Sequence, residues 1–155
     1  MNGTAPPHLR LRKYLDTPPA AATWPDGIRP VPFDAVDPRL LHQLLDVSFP
    51  GMVAPFSDWY GNLTRDEEFD PALCIPALAA DHSVAGFIQC WTSDFVKDVA
   101  VAPAHRSKGV GAALLTHAFA LFTARGAAHV DLKVAIEGWP ARRLYARLGM
   151  VEVPL

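Results

Sequence analysis

Apolar residues recur along this chain with two different periods, and the period in each stretch predicts a strand or a helix. Short apolar runs bounded by turn residues predict strands, which lie at residues 28–32, 73–80, 84–91, 95–101, 130–135 and 150–153. Apolar residues three or four positions apart predict helices, which lie at about residues 38–47, near residue 57, at 109–125 and from 140 onwards. Strands and helices in this order indicate an α/β domain with a mixed sheet.

The first residues do not follow either period. Residues 1–24 contain Pro6-Pro7, Pro18-Pro19 and a run of alanines. This composition predicts an irregular N-terminal arm, with room for one short helical or strand piece. The remaining residues, 25–155, are predicted to form one domain.

Composition narrows the class of protein. The chain has 155 residues, half of them apolar, which suits one domain with a single core. A formal net charge of −2 argues against a broad basic face for nucleic acid. No apolar run is as long as a membrane span, and the N-terminus lacks the pattern of a signal peptide, so we expect no membrane contact and a cytoplasmic location.

Histidines and cysteines offer little chemistry of their own. The six histidines are scattered without the spacing of metal ligands, so no metal site is predicted. Cys74 and Cys90 lie in two strands of a predicted hairpin, and they would face each other if the turn were centred on His82. A disulfide is one interpretation, and two free thiols in a reducing cytosol is the preferred one.

The turn between the strand at 95–101 and the following helix carries the clearest chemical signal. It reads Arg106-Ser107-Lys108-Gly109-Val110-Gly111. The two glycines remove side chains where the free N–H groups of a helix N-terminus point outward, and those groups with the helix dipole favour an anion. Arg106 and Lys108 add two cations, so this turn is predicted to bind phosphate.

Spacing excludes two well-known phosphate loops. A Walker A loop requires Gly-Lys followed by Ser or Thr, but Lys108 precedes Gly109 here. A dinucleotide fingerprint requires a small residue three positions after Gly111, where this chain has Leu114.

The segment instead resembles the pyrophosphate loop of the GNAT superfamily of acyl-coenzyme A dependent N-acyltransferases. The strand Val99-Ala100-Val101-Ala102-Pro103 leads to the family pattern Arg106-x-x-Gly109-x-Gly111. Downstream, the strand at 130–134 is followed by the segment 141–150, which is similar to the family's Ala-x-x-Leu-Tyr-x-x-x-Gly-Phe segment. The resemblance covers about residues 84–153.

The resemblance implies a GNAT fold, with about six to seven strands splayed at a cofactor cleft and about four helices. It implies acetyl transfer from acetyl-CoA to a primary amine by direct attack, with Tyr145 protonating the leaving thiolate. The residues expected at the cofactor are Val99, Val101, Arg106, Ser107, Lys108, Gly109, Val110, Gly111 and Ala112. The acceptor is a small-molecule or peptide amine whose identity stays open.

Acceptor-side residues are predicted less sharply. The resemblance places Phe56, Trp59 and Tyr60 on a short helix over the acceptor site, where they wall the pocket or pack against the sheet. Asp98 is the chosen general base, with Asp94 and the acidic stretch 66–70 as other candidates. The alternative role for Asp98 is an ion pair with Lys97, Lys133 or an arginine.

One departure from the family pattern keeps other functions open. Many members have Asn where this chain has Gly138, and that Asn helps to hold the cofactor or the helix bearing the tyrosine. One alternative is therefore a non-catalytic acyl-CoA binding or sensing domain. Another is an interaction module in which the N-terminal arm forms a homodimer.

Overall fold

The computed structural model describes residues 7–155 and shows one mixed sheet with helices on both faces. The strands are β1 (His8–Tyr14), β2 (Arg29–Pro30), β3 (Cys74–Leu78), β4 (Val84–Trp91), β5 (Phe95–Val101), β6 (His129–Ala135) and β7 (Val151–Val153). The helices are α1 (Pro38–Ser48), α2 (Phe56–Thr64), α3 (Val110–Ala124) and α4 (Trp139–Arg147).

The seven strands lie in the order β2-β3-β4-β5-β6-β1-β7. Strands β3, β4 and β5 follow one another through short turns and are antiparallel. Only a crossover can make neighbouring strands parallel, and α3 provides it between β5 and β6. The expected α/β fold, a mixed sheet of about six to seven strands with about four helices, is confirmed by the seven strands and four α-helices described in residues 7–155.

Two apolar clusters hold the layers together, one on each face of the sheet. On the first face, Leu114 and Phe122 of α3 pack with Ile88 and Val130, and Tyr145 of α4 belongs to the same cluster. The second face buries Leu41, Leu44 and Leu45 of α1 and Leu63 of α2 against Phe87 and Ala100. We call these the α3 face and the α1 face.

The N-terminal segment contains the strand piece for which the prediction left room. Residues 8–14 form β1, which pairs with β6 on one side and β7 on the other, so this part of the predicted arm is a strand inside the sheet. The sequence Leu9-Arg10-Leu11-Arg12 alternates as a half-buried strand does, and Leu11 is buried beside Leu132. The domain boundary at residue 25 stays a prediction, while β1 is the strand piece that pairs within the sheet.

The register of the β3–β4 hairpin shows whether Cys74 and Cys90 face each other, as a disulfide between them would require. Cys74 lies opposite Gln89, one residue short of the Cys90 pairing that a turn centred on His82 would give. Neighbouring residues of a strand point to opposite faces, which puts Cys74 in the cluster on the α1 face and Cys90 in the cluster on the α3 face. Both cysteines are buried free thiols.

A side chain caps the N-terminus of α1, whereas none caps the N-terminus of α2. The Asp37 carboxylate accepts a hydrogen bond from the Arg39 amide at 2.9 Å, as expected for the N-cap of α1. Ser57 does not cap α2, which begins at Phe56 after Pro55 without a side-chain cap. Pro140 is the second residue of α4, because Trp139 precedes it in the helix.

Candidate active site

Strands β5 and β6 separate and leave a cleft between them. Their parallel pairing is confined to Phe95 with Asp131 and Val96 with Leu132. The Ala102 amide donates to Ala85 O at 2.8 Å, so its N–H points towards β4. Backbone groups alternate sides along a strand, so the N–H and C=O groups of Val99 and Val101 point into the cleft.

Arg106 borders this cleft at the Val101 end of β5. Its Nε donates to the Val101 carbonyl at 3.1 Å, although the guanidinium is otherwise exposed. The bond ties the turn before α3 back to the strand that enters it. Arg106 therefore shapes the turn in addition to supplying a positive charge near it.

The N-terminus of α3 is open. Ser107 and Gly109 both have positive φ angles, of 62° and 94°, around Lys108, and all three residues are exposed. No side chain caps the helix, and its first turn begins with the Ala113 amide donating to Gly109 O at 3.0 Å. The amides between Ser107 and Ala112 thus form a concave set of donors suited to an anion.

The two glycines of the turn have different physical roles. Gly109 needs its positive φ, and a Cβ there would meet only Pro25 Cγ at 3.8 Å. A Cβ at Gly111 would lie 3.4 Å from Leu144 Cδ2 and 3.6 Å from Val101 Cγ2. Both distances are ordinary van der Waals contacts, so Gly111 lies where α3 meets α4 and β5 but leaves room there for a methyl group.

Tyr145 projects from α4 into the core beside the cleft and is 7% exposed. Burial raises the pKa of its phenol to about 12, and the nearby negative charge of Asp98 adds to this effect. The fold thus brings Asp98 within electrostatic range of Tyr145, although the two residues are far apart in the sequence. The phenol stays protonated at neutral pH, as a proton donor must.

The loop before α4 is fixed without the asparagine that the GNAT pattern has at this position. Arg142 Nη1 donates to Ile136 O at 2.6 Å, and its guanidinium lies 4.0 Å from the centre of the Trp139 ring. At the N-cap, a Cβ on Gly138 would lie 3.2 Å from Ala135 O. This chain therefore has little space for a larger residue at 138 and anchors α4 through Arg142.

Asp98 lies where β5 carries a bulge, opposite Gln89 of β4. Its side chain is 22% exposed, and Lys97 Nζ lies 3.3 Å from its Oδ2. The ion-pair role considered for Asp98 is therefore present. Its role as a base stays a prediction.

Phe56, Trp59 and Tyr60 form one aromatic group on α2. Phe56 stacks on Tyr60 with ring centres 5.7 Å apart, and His42 of α1 lies 5.6 Å from Trp59. Arg39 of α1 lies 4.8 Å above the Phe56 ring. These contacts show that the group packs α2 onto α1, and a place in the acceptor pocket stays a proposal.

The other acidic candidates are mostly occupied by structural contacts. Asp66 accepts from the Glu68 amide at 2.8 Å, and Asp70 pairs with Arg125 at 2.9 Å. The Asp70 pKa is lowered chiefly by the hydrogen bond from the Ala72 amide. Glu68 differs, because its Oε1 is buried without a hydrogen-bond partner among residues 7–155.

Several polar residues on the α1 face were missed by the sequence analysis. Gln89 is 2% exposed and its Nε2 finds no partner in the described residues, although a glutamine in an apolar strand was a visible signal. Asp131 is 1% exposed and accepts bonds of 2.7–2.8 Å from Arg10 and Arg12. Nothing local in the sequence links residues so far apart.

The Asp131 carboxylate is charged despite its burial. Desolvation favours the neutral form, but hydrogen bonds from Arg12 and Arg10 outweigh it and lower the Asp131 pKa below its usual range. Hydrogen bonding to Asp131 likewise raises the pKa of Arg12. The three side chains form a charged network between β1 and β6.

No helix within residues 7–155 is both long and apolar enough to cross a membrane. In the same range, no three His, Cys, Asp or Glu side chains are grouped as ligands for a metal ion.

Comparison with known proteins agrees with this geometry. The model of the acetyltransferase (GNAT) family matches residues 39–150. Streptothricin acetyltransferase of Streptomyces lavendulae is 35% identical over 109 residues, which cover 64% of this chain and 57% of that protein. Mycothiol acetyltransferase of Clavibacter michiganensis is 39% identical over 82 residues, which cover 51% of this chain and 27% of that protein.

A solved structure extends the likeness to almost the whole chain. The GCN5-related N-acetyltransferase from Sphaerobacter thermophilus superposes with a TM-score of 0.83 at 28% identity. The match covers 94% of this chain and 48% of that one. This chain therefore spans about half the length of that protein, and little more than half of the streptothricin enzyme.

Proposed function

Because the chain belongs to the GNAT acetyltransferase family, we propose that it transfers an acetyl group from acetyl-CoA to a primary amine. The observation that carries this proposal is the continuity of three features. An open helix N-terminus, a cleft edged by β5 backbone that β6 does not pair with, and a protonated tyrosine adjoin one another around Val101, Gly111 and Tyr145.

The cofactor would be held by main-chain groups. The amides of Ser107–Ala112 bind the diphosphate, with Lys108 as a cation at the same end. The backbone of Val99 and Val101 binds the pantetheine arm along the open edge of β5. Acetyl-CoA, when bound, supplies an acyl thioester whose carbon an amine can attack.

Two side chains would then donate and accept protons during the reaction. The Tyr145 hydroxyl holds the proton that the departing sulfur takes, and its raised pKa keeps that proton in place. Asp98 accepts the proton that the ammonium group of the acceptor loses, directly or through water. An amide N–H near Val99 to Val101 stabilises the negative charge that develops on the carbonyl oxygen.

The proposal is tested by release of free thiol from acetyl-CoA in the presence of a panel of primary amines. We expect amine-dependent release that Tyr145→Phe lowers and Tyr14→Phe leaves unchanged, since Tyr14 is an exposed tyrosine on β1. CoA binding with no thiol release from any amine would favour the alternative of a non-catalytic binding domain.

A further inference from the structure

We propose that the acceptor carries an anionic group, a carboxylate or a phosphate, and that Arg10 and Lys133 bind it beside the cleft. This inference rests on the proposed transfer to an amine and narrows its substrate class. It depends on a cationic part of the α1 face that the family motifs do not describe.

The strand registers place these cations on the α1 face. Leu11 packs in the α3-face cluster, so its neighbours Arg10 and Arg12 point to the opposite side. Trp91, Phe95 and Asp131 lie in one row across β4, β5 and β6, and Trp91 packs in the α1-face cluster. Arg10 lies 5.4 Å from the centre of the Phe95 ring in that row.

This half of the sheet is open to solvent. Helix α1 packs against β4 and β5, whereas the cationic side chains of β1 and β6 stay accessible. Arg10 is 30% exposed, Arg12 is 26% exposed, and Lys133 belongs to the exposed residues. A ligand at the cleft can therefore reach them from this face.

Arg10 and Lys133 are next to the cleft itself. Leu132 is the last residue of β6 that pairs with β5, so Lys133 is the first residue on the open edge. Arg10 lies directly opposite Lys133 on the neighbouring strand. Strands are about 5 Å apart, so both cations lie within the reach of a small acceptor whose amine enters the cleft.

Charge on this surface is unbalanced. Asp131 is the one carboxylate that the described ion pairs place among Arg10, Arg12 and Lys133. Arg12 directs Nε and Nη2 to Asp131, but Arg10 directs only Nε there. In residues 7–155 the terminal nitrogens of Arg10 make no hydrogen bond to a carboxylate and Lys133 forms no ion pair, so these groups remain available to a ligand.

Asp131 also makes the site rigid. Its bond to Arg10 and the contact of Arg10 with Phe95 fix the guanidinium before a ligand arrives. A preorganised cation binds an anion with less loss of side-chain entropy than a mobile one. We therefore expect Arg10 to select for an anion and Lys133, which lies closer to the cleft, to orient it.

The test compares amines that differ only in the anionic group. 6-Aminohexanoate is paired with 6-aminohexanamide, β-alanine with β-alaninamide, and O-phosphoethanolamine with ethanolamine. Thiol release gives kcat/KM for each, and calorimetry with CoA present gives equilibrium binding without turnover. The carboxylate and phosphate pairs distinguish the two sources of the anion.

Four variants complete the experiment. Lys133→Gln and Arg10→Gln should each raise KM and Kd about fivefold for the anionic amine of the preferred pair. Both constants should stay unchanged for the neutral amine of that pair. Lys13→Gln removes a cation from the opposite face of β1, where it lies 5.8 Å from the Phe119 ring, and should have no effect. Arg29→Gln is the matching control for arginine, on the far strand β2.

Each outcome decides between the two proposals. Equal rates and affinities for both members of every pair, or a preference that Lys133→Gln and Arg10→Gln leave intact, overturns the anion site. A binding preference that these variants abolish, without thiol release from any amine, supports the anion site and contradicts acetyl transfer. No binding and no release for the whole panel contradicts both.

Discussion

The cofactor side and the acceptor side of the sheet are built in different ways. The proposed diphosphate site uses main-chain amides of consecutive residues, Ser107–Ala112, at one helix end. The proposed anion site uses side chains on two strands, and Arg10 and Lys133 are 123 positions apart. One site is local in sequence, and the other exists only when the sheet has formed.

The two kinds of site should respond differently to amino-acid substitution. A site made of amides depends on backbone conformation, so it needs glycines and tolerates changes in most side chains. A site made of side chains changes with each substitution on β1 or β6. We therefore expect cofactor binding to be common to relatives and acceptor choice to be individual to this chain.

Tyr145 lies between the two sides, and its loss should have the largest effect on rate. Tyr145→Phe should lower kcat by about 100-fold while the Kd for CoA stays the same, because a positioned acid contributes that much to proton transfer. Stopped assays of thiol release and calorimetry measure the two quantities. An unchanged kcat would remove the acid role and leave only packing.

The raised pKa of Tyr145 also predicts the pH profile. A phenol with a pKa of about 12 remains protonated through pH 10, so the rate should not fall on the alkaline side because of this group. The dependence of kcat on pH between 6 and about 10 checks this expectation. A tyrosine-dependent loss of rate near pH 9 would contradict it.

On the acceptor side, we expect loss of the Asp131 carboxylate to lower the free energy of unfolding more than loss of an exposed ion pair does. Asp131→Asn leaves Arg10 and Arg12 without their carboxylate, and we expect the free energy of unfolding to fall by about 2–3 kcal/mol, less than for a fully buried pair because both arginines are partly exposed. Urea unfolding measures this. Asp70→Asn, which breaks the more exposed pair with Arg125, should cost less than about 1 kcal/mol.

The sign of the pH dependence follows from the lowered pKa of Asp131. The folded state binds this proton less well than the unfolded state does, so the stabilisation is present at neutral pH and is lost as the pH falls through the folded pKa. Wild-type protein should therefore lose stability below about pH 4 more steeply than Asp131→Asn. Parallel acid-unfolding curves would contradict this assignment.

Gly109 and Gly126 offer a matched pair on the two ends of α3. Both have positive φ angles, of 94° and 84°, so Gly109→Ala and Gly126→Ala should each cost about 1 kcal/mol of stability. Only Gly109→Ala should weaken CoA binding, by about tenfold, because only that end presents amides to the diphosphate. Equal CoA affinities in the two variants would argue against the amide site.

The smallest effect concerns the cysteines, which belong to neither side. Burial raises the pKa of Cys74 to about 12 and also raises that of Cys90. We expect no alkylation of the native protein at pH 8 and no change in Tm on addition of reductant, because the thiolate is the reactive form. Two thiols should titrate per chain after unfolding.

The same contrast explains what the sequence could predict. The turn before α3 and the strand that leads into it form one local motif, and Tyr145 belongs to a second local motif on α4. Residues close in sequence define each motif, so the sequence could predict the secondary structure around each of them. The place of β1 between β6 and β7 depends on long-range pairing that alternation in Leu9–Arg12 does not specify. The network at Asp131 follows from that pairing and could not be predicted without it.

The central claim is that the amides of Ser107–Ala112 bind a diphosphate while Val99 and Val101 bind the arm that follows it. Nuclear magnetic resonance titration of backbone amides with CoA and, separately, with pantetheine tests it most directly. The account predicts that CoA shifts the resonances of both groups, whereas pantetheine, which lacks the diphosphate, shifts only those of Val99 and Val101. Amides of Ser107–Ala112 that do not respond to saturating CoA would contradict it.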